Sequence, residues 1–249
     1  VSNPTPRPAT QNRPSAAPGV TCPSPNVGGW QRTRCVLGGP IVAGTSGDPV
    51  EPFSGAFVQT VEDLRIPRMG ASITWERTYN SQFDRSTYKS TEARANPIGK
   101  SWDFSYNISL YEDKNANEIY LYPGNGREDK FTWNQAKGRW EQNEYFAVIT
   151  KDQDGAYTVE WEDGGQWAFD AQGRIWKILD KSEVSNKANR GLWFKYTADL
   201  LSKIYDKARG NDCYLQIFYD SAPHIVRVEA HSKGTDGTTQ TRKVSYSYD

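Results

Sequence analysis

The sequence offers little to do chemistry with. Its 249 residues include two histidines, three cysteines and one methionine. A zinc site of the usual kind needs about four Cys or His ligands, or three with an open position. His224, His231 and Cys213 form the one trio available, and their spacing fits no zinc pattern. Ser–His–Asp catalysis would have to draw on the same two histidines, both in strand-like stretches. A glycosidase needs two placed carboxylates, and any chain with 30 acidic residues contains such pairs, so their presence argues for nothing. No catalytic residue, metal or cofactor is expected. No apolar run reaches the ~18 residues of a membrane-spanning helix. No basic-then-apolar start is present, so any signal peptide is expected to be already removed. Net charge is missing as well: 30 Lys and Arg offset 30 Asp and Glu. No overall field therefore draws the chain to nucleic acid or anionic lipid. What is abundant is aromatic: nine Trp, 14 Tyr and nine Phe. With frequent Gly and one Met, that favours strands over helices.

The first 45 residues stand apart. Eight of the 14 prolines lie between Pro4 and Pro40, and the stretch carries Arg7, Arg13, Arg32 and Arg34 with no acid before Asp48. It is therefore +4, and the rest of a chain of zero net charge is −4. Proline removes backbone donors and there is little apolar area to bury, so this leader is expected to be extended rather than to form a core. It can lie on its own body or on a neighbouring copy. A leader bound in trans would make each subunit hold the next, a contact that propagates into a filament unless it closes. Cys22 and Cys35 sit within it, flanking Pro23, Pro25, Gly28 and Gly29. A disulfide between them would stabilise by about 3 kcal/mol in the chain-entropy model and implies an oxidising compartment. The alternative is two free thiols in a cytosolic protein. Cys213 is read as a buried free thiol, because the period of two in Cys213–Tyr219 puts it on the face of Leu215 and Ile217.

From residue 47 the pattern is short alternating strands divided by turn residues. Ile108, Leu110, Ile119 and Leu121 flank Asp113–Asn117, a polar tip. Asp113, Asn115 and Asn117 imitate the start of a calcium loop, but Glu118 stands where that loop needs Gly and Gly124 where it needs Glu. Further tips fall at Gly124–Gly126, Ala136–Gly138, Asp152–Gly155 and Asp163–Gly165. The one helix candidate is Lys181–Asn189. The whole reads as an antiparallel all-β chain.

The last third repeats itself. The fullest unit is Trp167–Asp180, with an aromatic-x-aromatic strand, Asp170, Gly173 and then Ile175 and Ile178. Phe194–Asp206 and Ile217–Val228 are further copies, and Val244–Asp249 opens a fourth. The aromatic anchors are Phe169, Tyr196, Tyr219 and Tyr248. Each unit is a hairpin that cannot bury its apolar face alone and must stack on the next. Asp170 and Asp220 are assigned to turn hydrogen bonding, and Gly173 to a turn position of positive φ. Trp161, Trp167, Trp176 and Trp193 are candidates for stacking on sugar rings, against packing in the interior.

These units resemble YD repeats, and the preceding segment resembles the domain that opens Rhs / YD-repeat proteins. The matching residues are Gly47-Asp48-Pro49-Val50, Ser54-Gly55, Asp63-Leu64 with Ile66-Pro67, Trp75-x-Arg77-Thr78-Tyr79-Asn80-Ser81, and Gly99-x-Ser101-Trp102-x-Phe104-x-Tyr106. The resemblance spans residues 46–249. It implies a secreted or surface protein whose hairpins form part of a curled shell, with 46–160 as the opening β-domain and 161–249 as the hairpin array. Family members often carry a C-terminal toxin; the array here is interrupted at 249, so toxin activity is not carried over. The expected function is a non-enzymatic structural or assembly module, partnered by further repeats or by copies of itself in a polymer. A carbohydrate-binding or adhesion module is the alternative. Neither nucleic acid nor a membrane span is expected.

Overall fold

In the computed structural model of the protein the described residues are 56–68, 72–89, 97–142, 147–186, 190–234 and 236–248. The leader, with Cys22 and Cys35, lies outside them. Among the described residues, three strands make one small sheet: β1 (Val58–Ile66), β2 (Ile73–Asn80) and β3 (Trp102–Phe104). The others are β4 (Ile108–Asp113), β5 (Glu118–Pro123), β6 (Asp129–Asn134), β7 (Arg139–Gln142), β8 (Ala147–Lys151), β9 (Tyr157–Glu160), β10 (Gln166–Phe169), β11 (Ile175–Leu179), β12 (Leu192–Thr197), β13 (Leu200–Asp206), β14 (Cys213–Tyr219), β15 (Ile225–Lys233) and β16 (Thr239–Ser245). These thirteen form a single antiparallel meander in chain order. The all-β expectation holds. Of the helix candidate at Lys181–Asn189 the described part, 181–186, is a turn followed by one short 3-10 segment, Val184–Asn186, because Asp180 accepts from the Glu183 N–H and holds the chain in a turn; residues 187–189 lie outside the described residues.

Alternation explains the sheet. In β14, Cys213, Leu215 and Ile217 are buried while Tyr214, Gln216 and Phe218 point the other way. In β5, Ile119 and Leu121 face the core, and Tyr120 and Tyr122 face outward, where Phe83 and Tyr88 cover them. The sheet curls without closing. Its first strand reaches the tip of the β10–β11 hairpin, where Leu110 N donates to Gly173 O at 2.8 Å and Ser109 bridges Arg174. Glu112 on β4 accepts from Lys151 Nζ at 2.8 Å and Tyr157 Oη at 3.0 Å, on β8 and β9.

The small sheet plugs the hollow side. Ile66, Ile73, Trp75 and Phe104 join one core cluster with Leu121, Ile149, Ile178, Ile204 and Leu215. Trp75 stacks on Phe104 at 4.8 Å, and Tyr106 meets Phe194 edge-on at 5.8 Å. Arg68 pins plug to wall through a buried ion pair with Glu183 at 2.6 Å, with Asp206 at 3.8 Å. The long sheet and the core run unbroken across residue 160, so β4–β9 and the hairpins of 161–249 share one wall.

Candidate functional site: hairpin staples and the free edge

Three successive hairpins repeat one geometry. In β10–β11, β12–β13 and β14–β15 the register slips by a residue opposite Phe169, Tyr196 and Tyr219. The residues passed over are Trp176, Ser202 and Val226. A bulge interrupts the ladder at such a point. The carbonyl just before each bulge receives the phenol of the next unit. Tyr196 Oη donates to Ile175 O at 2.9 Å, Tyr219 Oη to Leu201 O at 2.9 Å, and Tyr248 Oη to Ile225 O at 2.6 Å. Burial pushes the Tyr196 and Tyr219 phenols well above their ordinary value and Tyr248 up to about 12, so all three stay protonated donors. Phe169, at the head of the series, has no hydroxyl to give. The anchor tyrosines are staples that tie each hairpin to the one before.

The turn residues do what their types predict. Asp170 Oδ1 accepts from the N–H groups of Gln172 and Arg174 at 3.0 and 2.9 Å, and Oδ2 takes Arg174 Nε at 2.8 Å. Asp220 repeats this on Ala222 and His224 at 2.9 and 2.8 Å. The His224 N–H is the largest cause holding the Asp220 carboxyl below its ordinary value. Gly173 has φ +80°, and a Cβ there would stand 1.9 Å from Leu110 O. At the calcium-like tip, Asp113 Oδ1 is engaged by the N–H groups of Asn115 and Ala116.

The two edges of the long sheet differ. β4 is covered in part by the β10–β11 tip. The outer edge of β16 is unpaired among the described residues, and six of its seven residues are exposed. Just past it the chain is clamped onto the plug. Tyr246 Oη donates to Asp63 Oδ2 at 2.7 Å and accepts from Trp75 Nε1 at 2.9 Å. Arg77 pairs with Asp63 and lies 4.9 Å from the ring centres of both Trp102 and Tyr246. Asp63, Trp75, Arg77 and Trp102, quoted above as motif residues, thus converge on one repeat tyrosine.

The four tryptophans divide. Trp161 is 3% exposed and Trp167 0%, packed edge-on at 5.0 Å in the core, where neither offers a face to a sugar. Trp176 and Trp193 are half-buried on the outer face, edge-on at 5.3 Å. Cys213 is a buried free thiol raised in pKa by burial. A cleft of roughly 560 Å³ opens among the hairpin tips, floored by Tyr106, Ile108, Leu201 and Tyr219 and rimmed by Arg174 and His224. Its polar rim is already paired, Arg174 with Asp170 and Asp199, His224 with Asp220.

Residues 47–131 match the model of a domain of unknown function, DUF6531. That span takes in the plug sheet, β4, β5 and part of β6, and stops before the stapled hairpins. No curated protein matches the chain. Among solved structures, a Bacteroides fragilis protein of unknown function aligns over 76% of this chain and 92% of its own, at 10% identity and a TM-score of 0.13. A likeness of that size carries no argument. Among the described residues no helix is long and apolar enough to cross a membrane.

Sequence reasoning found the donors of the staples and not the acceptors, which are backbone carbonyls without a side-chain signature. It also passed over Lys195, Lys203, Tyr205 and Tyr214 on the outer face. The parity of Cys213–Tyr219, which placed Cys213 inward, also places Tyr214 outward.

Proposed function

We propose that this chain is a scaffold: the opening part of a secreted or surface YD-repeat shell, built to receive further hairpins rather than to catalyse. One observation carries the reading. Each unit after β10–β11 is stapled to its predecessor, the first edge of the sheet is covered in part by a turn, and the last edge, β16, is unpaired among the described residues. A bare strand edge is a template for another strand, so the wall has one direction in which to grow. The added strand comes from further repeats of a longer chain or from a second copy. The Rhs-type motif residues support this reading through their place in the Tyr246 clamp, which braces the growing edge against the plug.

The test is the native product. Antiserum against this chain should capture, from producing cells, a species well above 28.1 kDa, or a multimer of it, in which the β16 amides are protected from hydrogen exchange. A native product near 28.1 kDa, monomeric and with freely exchanging β16 amides, overturns the reading.

A further inference from the structure

The outer face of β12–β15 carries rings and cations that stapling does not use. Register sets Trp193 opposite Tyr205, Tyr205 opposite Tyr214, and Tyr214 opposite His231. Four strands thus give one aromatic row, about 14 Å long over three inter-strand spacings. Each member is half-buried. Tyr214 and His231 stack at 4.4 Å with their planes 12° apart.

Lysines sit on this row. Lys207 Nζ is 4.3 Å from the Trp193 ring centre. Lys195 and Lys203 converge on Tyr205 at 5.4 and 5.9 Å, and Lys203 is also 3.8 Å from Tyr214. Elsewhere Lys130, Lys137 and Lys151 each hold a glutamate. Among the described residues Lys195, Lys203 and Lys207 pair with no carboxylate, and Lys203 Nζ donates to the neutral Asn211 Oδ1 at 3.0 Å. Lys195 and Lys203 are direct cross-strand partners, and like charges placed so destabilise a sheet. Burial and Lys195 together lower the Lys203 pKa. The folded protein therefore keeps a repulsion that a bound anion would relieve.

We infer that this face binds an acidic polysaccharide. The apolar C–H face of a sugar ring packs on a flat aromatic ring, and its carboxylate or sulfate answers the ammonium groups. A row crossing four strands suits a polymer rather than a monosaccharide. A nucleic acid fits less well. Its binding domains are basic as a whole, whereas this chain has 30 cationic and 30 anionic residues, and the Lys195–Lys203 row is broken by Gln216 and Glu229 before it reaches Lys243. The site does not need the scaffold reading, since its lysines and three of its four rings lie on β12–β14 and the β13–β14 turn, and it meets β16 only where His231 reaches Thr241 at 3.1 Å.

Affinity electrophoresis of the full chain tests this, with polygalacturonate as the acidic probe, dextran as the neutral one and oligothymidylate as the phosphate polymer. Polygalacturonate should retard the protein in a salt-sensitive way, and dextran should not. Lys195→Gln/Lys203→Gln should weaken binding by about tenfold and flatten the salt dependence. Lys203→Gln alone, without ligand, should raise the melting temperature, the mark of a charge kept for binding at a cost in stability. Trp193→Ala should weaken binding and leave the salt dependence in place. The inference is overturned by absent retardation, by equal retardation in dextran, by tighter binding to oligothymidylate, or by a double lysine variant that binds like the parent.

Discussion

Replacing Gly173 by alanine measures the contact that curls the sheet. A residue with a Cβ loses about 1–2 kcal/mol at positive φ, and Gly173 sits at φ +80°. The added Cβ would also lie 1.9 Å from Leu110 O, a backbone atom that cannot swing away. The tip must lift, breaking the Leu110 N–Gly173 O bond, worth about 1 kcal/mol. Together the loss is about 2–3 kcal/mol, which for a domain of this size lowers the melting temperature by roughly 4–12 °C. Gly138 supplies the control: its φ is +62° and a Cβ there would meet nothing within 4 Å. Gly138→Ala should therefore cost only the conformational part, about 1–2 kcal/mol or roughly 2–8 °C. Calorimetry of the two variants beside the parent decides the matter. Equal losses at the two positions would refute the docking of this tip on β4.

Tyr219→Phe deletes a staple and orphans Leu201 O, so urea unfolding should show a loss of about 1–2 kcal/mol, whereas Tyr205→Phe on the outer face should stay within about 0.5 kcal/mol; similar effects at both would remove the special status of the staples. Burial opposes the charge of Glu112, yet the bonds from Lys151 and Tyr157 outweigh it and hold its carboxyl below the ordinary range. Its contribution is thus present above the unfolded value of about 4.3 and lost as pH falls through the folded one. The melting gap between the parent and Glu112→Gln should be full at neutral pH and close in acid, and a gap independent of pH would count against the link. In a disulfide reagent assay the native protein should show no reactive thiol and the unfolded protein one, Cys213; three thiols on unfolding would mean that Cys22 and Cys35 are not joined.

Much of the wall was legible in the sequence because its signals are local. The alternation of the strands, the Asp170 and Asp220 turns and the positive φ of Gly173 are set within single hairpins, whereas the reach of Tyr196 and Tyr219 to the preceding hairpin and of Gly173 to β4 is not. The faces of the tryptophans were harder. Trp176 is the residue passed over in the bulge opposite Phe169, so counting by twos from Ile175 and from Ile178 gives opposite faces for it. Trp161 and Trp167 look no different from Trp193 until the strands have partners. The plug was out of reach for another reason. Arg68 meets Glu183 across 115 positions, and nothing in either neighbourhood announces the other.

The order of the sheet also sets an order in time. Each strand from β5 onward pairs with the strand made just before it, so a ribosome delivering the chain never leaves a strand waiting for a distant partner. Local pairing of this kind is kinetically cheap. The fastening of the plug is the exception, since Tyr246 reaches Asp63 over 183 positions and Trp75 over 171. A nascent chain halted before Tyr246 should therefore carry its hairpins paired in order with the Tyr246 latch on the inner sheet still open, and that latch should close after the hairpins that precede it.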